Sequence, residues 1–106
     1  MKKPTLKQQL NLLKKAAKKR GLVIRKTPKL SNTPYRAMQP MAAKELKINN
    51  PKNTIGYTNN CERTKKRLVM DIRHEIIEYD AMKKGARYKT AHKLANRKQR
   101  TPEYLK

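Results

Sequence analysis

Residues 68–97 read LVMDIRHEIIEYDAMKKGARYKTAHKLANR, and the rest of the chain arranges itself around this stretch. Positions 68–84 contain neither Gly nor Pro, and Lys83-Lys84-Gly85 is an ordinary helix stop. On a helix, Asp71, His74, Glu75, Glu78 and Met82 fall on one narrow strip. Leu68, Ile72 and Tyr79 flank it on one side, and Met70, Ile77 and Ala81 on the other. A polar strip between two apolar shoulders is predicted to face inward. After the turn Gly85-Ala86-Arg87 a second helix is predicted over 88–100. Tyr88, Ala91, His92 and Ala95 share one of its faces, while Lys89, Lys93, Arg97 and Arg100 form the opposite, basic one. Ala91 and Ala95 permit close approach of the two helices. An antiparallel hairpin then brings His92 level with Glu78, so that His74, Glu78 and His92 converge.

The setting of that strip is unusual. The 106 residues include 29 Lys and Arg but only 7 Asp and Glu, a formal net charge of +22 with a pI near 10.6. Four of those carboxylates (Asp71, Glu75, Glu78 and Asp80) lie within ten residues of one another. Such a balance points to a polyanionic partner, nucleic acid foremost, because self-repulsion is relieved by phosphate. A hyperthermophile's solubility would instead balance Lys with Glu. The absence of Trp and Phe limits the core, and a mean hydropathy of -1.07 approaches the composition of segments that order on binding. No apolar run is long enough to span a membrane, and the N-terminus lacks a signal-peptide core. The single Cys61 excludes an internal disulfide and reads as a small residue rather than a zinc ligand. A cytoplasmic (intracellular) location, or one inside a virion, is expected, with no membrane partner.

Upstream, Thr5 and Gln8 form a capping-box pattern for a helix over 6–20 that stops at Gly21. Leu6, Leu10, Leu13 and Ala17 make its apolar stripe. Lys14, Lys15, Lys18, Lys19 and Arg20 make a basic face suited to a phosphate backbone. Two short strands are predicted, over 22–25 and 54–58, and they are expected to pair. Between them, Pro28, Pro34, Pro40 and Pro51 break the chain into an extended arm. Tyr35 in that arm either plugs a small core or stacks on a base, beside Arg36 as a phosphate ligand, and Pro40 opens one or two helical turns ending near Ile48. The fold class is therefore mainly α with a small β element (α+β). A basic helix and arm (1–53) are expected to precede a strand plus helical hairpin (54–106).

A short strand, a connector and a helix carrying His74-Glu75 resemble the minimal zinc-dependent metallopeptidases of the zincin type. The helical hairpin, with its H-E-I-x-E…A-H pattern, is similar to those of small archaeal or viral basic proteins. The resemblance implies His74 as a zinc ligand and Glu75 as the general base. Glu78 stands where the zincin motif has its second His, and His92 stands where a downstream acidic ligand would be. A set of two His and one carboxylate is kept, with the positions exchanged.

Three functions follow. The first is backbone-directed nucleic-acid binding (RNA or DNA) through Lys14, Lys15, Lys18, Lys19, Arg20, Lys65, Lys66, Arg67, Lys93 and Arg97, within a ribosomal, viral or chromatin assembly. The second is a minimal zinc hydrolase using His74, Glu75, Glu78 and His92. The third is a structural subunit ordered only in a nucleoprotein assembly. Without a metal, the acidic strip would be an ion-pair core, with Asp71, Glu75 and Glu78 paired to Lys or Arg and His92 donating to Glu78.

Overall fold

The computed structural model describes residues 5–58 and 64–99; Cys61 and Arg100 lie outside them. Helix α1, Leu6–Lys19, starts at the capping box: the Gln8 N–H donates to Thr5 Oγ1 (3.1 Å) and the Thr5 N–H to Gln8 Oε1 (2.8 Å). It ends where Gly21 takes φ 74°, the left-handed conformation that glycine adopts without steric cost. Leu13, Ala16 and Ala17 are its buried residues, while Leu6 and Leu12 remain exposed.

Strand β1, Val23–Lys26, pairs in parallel with β3, Thr54–Tyr57, in the register Val23↔Thr54 to Lys26↔Tyr57. The pairing of these two segments matches the expectation from sequence. A two-residue strand β2, Ala37–Met38, adds antiparallel to the other side of β3, giving the order β1-β3-β2. Gly56 is required at the centre: a Cβ there would come within 2.5 Å of Thr27 Oγ1 and 2.8 Å of Asn50 Oδ1.

Parallel strands need a long crossover, and the proline-containing segment supplies it. It carries a 3-10 helix, Pro28–Asn32, then β2, then helix α2, Pro40–Leu46. Pro40 occupies the first turn of α2, and the buried Gln39 caps it, its Oε1 accepting from the Met41 N–H at 2.7 Å.

Helix α3, Lys65–Lys83, starts three residues earlier than its apolar pattern implies, because Thr64 caps it by accepting from the Arg67 N–H. It is the axis of the molecule, and all positions from Asp71 to Tyr79 are buried. Helix α4, Tyr88–Lys98, folds back on it through Ala91 and Ala95, both fully buried. Arg87 supplies no side-chain cap to α4. Glu45 of α2 does so instead, accepting from the Tyr88 N–H at 3.0 Å and facing Arg87 Nε at 3.4 Å.

The chain is thus mainly helical with a small three-stranded sheet, as the sequence implies. The division at Asn53/Thr54 is not followed. One apolar cluster joins Leu13, Ala17 and Leu22 to Ile55, Ile72 and Ile76, and a second joins Leu30, Met38 and Ala42 to Met82 and Ala91. The sheet also spans that point, so the segment expected as an extended arm is folded against α3.

Candidate metal centre

A helix buried on every side yet carrying Asp71, Arg73, His74, Glu75 and Glu78 must satisfy each of these polar groups inside. Arg73 does so by bridging: one terminal nitrogen donates to the Gln99 carbonyl (2.8 Å) and the other to Gln9 Oε1 (2.7 Å), tying α3 to α1 and to the end of α4. Asp71 lies at the edge of the strip, with Arg36 Nε 3.4 Å from its buried Oδ2.

Two of the remaining groups, His74 and Glu78, meet His92 at one point. His74 and Glu78 are one helical turn apart on α3, and α4 delivers His92 opposite them. His74 Nε2 is 3.1 Å from Glu78 Oε2, His92 Nδ1 is 3.0 Å from the same oxygen, and the two imidazole nitrogens are 3.2 Å apart. These are the edges of a nearly equilateral triangle. Zinc bonds of about 2.0–2.1 Å in a tetrahedron place ligand atoms about 3.3–3.4 Å apart, so the triangle is close to one face of such a site. The three atoms form a potential metal-binding group.

Hydrogen bonds from His74 and His92 to Glu78 Oε2 can occupy two edges of the triangle, but not the third. Near-linear bonds cannot run along all three edges of a triangle. His74 Nδ1 faces Gln99 Oε1 at 2.9 Å, and its Nε2 faces Glu78 Oε2. Gln39 Nε2 donates to Glu78 Oε1 at 3.0 Å and leaves Oε2 to the triangle. Both inward ligand atoms are therefore oriented by an amide behind them, as metal-binding imidazoles and carboxylates commonly are. Among the described residues no Lys or Arg forms an ion pair with Glu75 or Glu78. Of the core expected in the absence of a metal, the contacts of Arg36 with Asp71 and of His92 with Glu78 are present, while Glu75 and Glu78 have no Lys or Arg partner among these residues.

Glu75 is buried beside the triangle, its Oε2 3.8 Å from His74 Nε2. Burial pushes its carboxyl well above the usual range; the charges of Glu78 and Asp71 add to this, and the Gln39 backbone N–H opposes it. Glu78 goes the other way. Burial would raise it, but donation from His74, Gln39 and His92 outweighs burial and holds it below the ordinary value. Tyr88 packs on the His92 ring, with centroids 5.2 Å apart and its hydroxyl 3.3 Å from His92 Nδ1; burial and the nearby carboxylates raise its phenol.

The triangle forms the floor of a cleft of about 320 Å³, with Tyr35, Arg36, Met38, Tyr88 and Asn96 on its walls. That volume suits a small ligand or one segment of a larger one, given the ~300–1,000 Å³ of ordinary binding sites. Glu75 and the triangle all line it. Tyr35 also packs on the second apolar cluster, in keeping with the core role considered for it.

The basic residues lie elsewhere. Lys14, Lys15, Lys18 and Lys19 are exposed on α1, Lys65, Lys66 and Arg67 on the first turn of α3, and Lys93 and Arg97 on the outer face of α4. Arg20 is a correction. Its Nε and one terminal nitrogen bind Asp80 Oδ1 and Oδ2 at 2.6 and 2.7 Å, and the other terminal nitrogen donates to the Ala16 carbonyl at 2.7 Å. That pair is a tie between α1 and α3, and it holds the Arg20 guanidinium above its ordinary pKa.

Gln39, Gln99 and Tyr88 are site residues without an assigned role in the sequence reading. Gln99 was within reach of it, since it lies seven residues after His92 and so on the same helical strip. Gln39 gave no local signal. No helix among the described residues is long and apolar enough to cross a membrane. No protein-family model, curated protein or solved structure matches the chain.

Proposed function

We propose that the protein is a zinc-dependent hydrolase in which His74, Glu78 and His92 hold the metal and Glu75 is the general base. The observation that carries this reading is the triangle of three ligand atoms 3.0–3.2 Å apart, with His74 and Glu78 buried, His92 half-exposed and, among the described residues, no Lys or Arg counter-charge on Glu78. A divalent cation there neutralises Glu78 and gives all three atoms a common partner. Held by these three residues, zinc would supply a Lewis acid able to acidify a water toward neutrality. Glu75, within 4 Å of His74 Nε2, is placed to take that water's proton and later return it to the leaving group.

A second reading, nucleic-acid binding, is favoured by a separate observation. Every carboxylate among the described residues is turned inward or paired: Asp71, Glu75 and Glu78 are buried, Asp80 binds Arg20, and Glu45 caps α4. The outward field is left to Lys and Arg, which suits backbone-directed contact with RNA or DNA.

Native mass spectrometry of nuclease-treated, high-salt-purified protein tests the first reading. One zinc per chain is expected in the wild type and in Glu75→Gln, and none in His74→Ala. A folded wild type that takes up no zinc overturns it.

A further inference from the structure

We infer that the substrate of this centre is the phosphodiester backbone of a nucleic acid, an inference that rests on the metallohydrolase reading above. The cleft is acidic only at its floor. Arg36 lines its wall with a half-exposed side chain held beside Asp71, and further cations flank it. Exposed Lys89 lies on the strip of α4 next to the cleft residue Asn96, and exposed Lys93 follows it toward the outer face. Exposed Arg67 lies one turn before Asp71, beyond the end of the acidic strip. A strand carrying one charge per phosphate would be drawn along this rim and would present a phosphate at the metal's open position. Tyr35 and Tyr88 line the cleft walls as its aromatic residues.

A peptide fits the same cleft less well. Extended peptides are gripped by main-chain hydrogen bonds along an exposed sheet edge. The edge strand here, β2, is only two residues long, Ala37–Met38. The carbonyl of the next residue, Gln39, already accepts from the Ala43 N–H of α2. Little main chain is left to guide a peptide, whereas the cationic rim needs none.

The reaction is hydrolysis. Glu75 removes a proton from the attacking water, and its oxygen forms a bond to phosphorus. The bond from phosphorus to one ester oxygen breaks, and that oxygen receives the proton from Glu75. One phosphodiester and one water give one phosphomonoester and one free hydroxyl, with no change in oxidation state.

The test uses the full chain, stripped with chelator and reloaded with zinc, with metal content read by native mass spectrometry in the same samples. Fluorescent single-stranded DNA and RNA oligonucleotides are offered in parallel with fluorescent casein. Zinc-dependent cutting of an oligonucleotide is expected, falling about 10²–10⁴-fold in Glu75→Gln, whose zinc content is unchanged. Arg36→Ala with Lys93→Ala is expected to raise KM several-fold with kcat nearly unchanged. Zinc-loaded protein that cuts casein but no oligonucleotide, or that cuts neither, overturns the substrate assignment while the metal centre stands. Protein that binds no zinc removes the reading on which the assignment rests.

Discussion

Gln99 Oε1 lies 2.9 Å from His74 Nδ1 while the carbonyl of the same residue accepts from Arg73 at 2.8 Å, so the end of α4 sets the position of a proposed ligand on α3. This relationship makes zinc affinity sensitive to a residue that does not touch the metal. Gln99→Ala should weaken zinc binding about 10–100-fold, the usual effect of losing such a support. Competition with a chromophoric chelator measures it, and the melting temperature of the metal-free protein should change little.

Gln39 should behave differently because it is completely buried and, besides its contact with Met82 Sδ at 3.2 Å, serves two partners, Glu78 and the Met41 N–H. Gln39→Ala leaves both unsatisfied, and about 1–3 kcal/mol of stability should be lost for each group stranded. Urea unfolding of metal-free protein reads this directly.

Arg20 and Asp80 pair across α1 and α3 in a two-pronged, partly exposed bridge. Asp80→Asn should destabilise by about 1–2 kcal/mol, with zinc content unchanged. Lys18→Glu with Lys19→Glu should leave stability nearly intact and lower the log–log salt slope of oligonucleotide binding by roughly 2, provided each lysine meets one phosphate. Fluorescence anisotropy at several salt concentrations separates the two outcomes.

How much of this was legible beforehand depended on the range of the interaction. The inward strip of Asp71, His74, Glu75 and Glu78 follows from helical period alone, and Ala91 with Ala95 made the approach of His92 readable. Features set by distant partners were not legible. Arg20 looks like one more cation in a basic run until Asp80 arrives from 60 residues away. Strand β2 is too short to show alternation, and it exists because β3 offers it an edge. The prolines of 26–53 correctly marked breaks, yet they also start a 3-10 helix at Pro28 and α2 at Pro40. A broken segment can pack as well as an unbroken one when its turns fit a partner.

Chelated protein should show the cost of Glu75. Its folded-state pKa is raised by burial and by its acidic neighbours, so the native state binds this proton more tightly than the unfolded chain. Stability from this group is fully present below the unfolded value of about 4.5, declines as pH rises toward the raised folded value, and is lost above it. Glu75→Gln removes the slope, so its melting temperature should exceed that of the wild type increasingly as pH rises through that window.

Zinc should act as a staple between α3 and α4, since two ligands come from one helix and the third from the other. At free zinc 100-fold above Kd, about 2.7 kcal/mol of stabilisation is expected, and His92→Ala should abolish it. Thermal unfolding across a zinc titration reports the effect as a rising melting temperature.

X-ray absorption at the zinc edge bears most directly on the proposed centre. The result expected is one zinc per chain with only nitrogen and oxygen neighbours at about 2.0–2.1 Å, including the outer-shell scattering of two imidazoles, and loss of bound zinc in His74→Ala. A sulfur neighbour near ~2.3 Å would place the metal on Cys61 instead, and that result, or a spectrum unaltered by His74→Ala, would contradict a centre built from His74, Glu78 and His92.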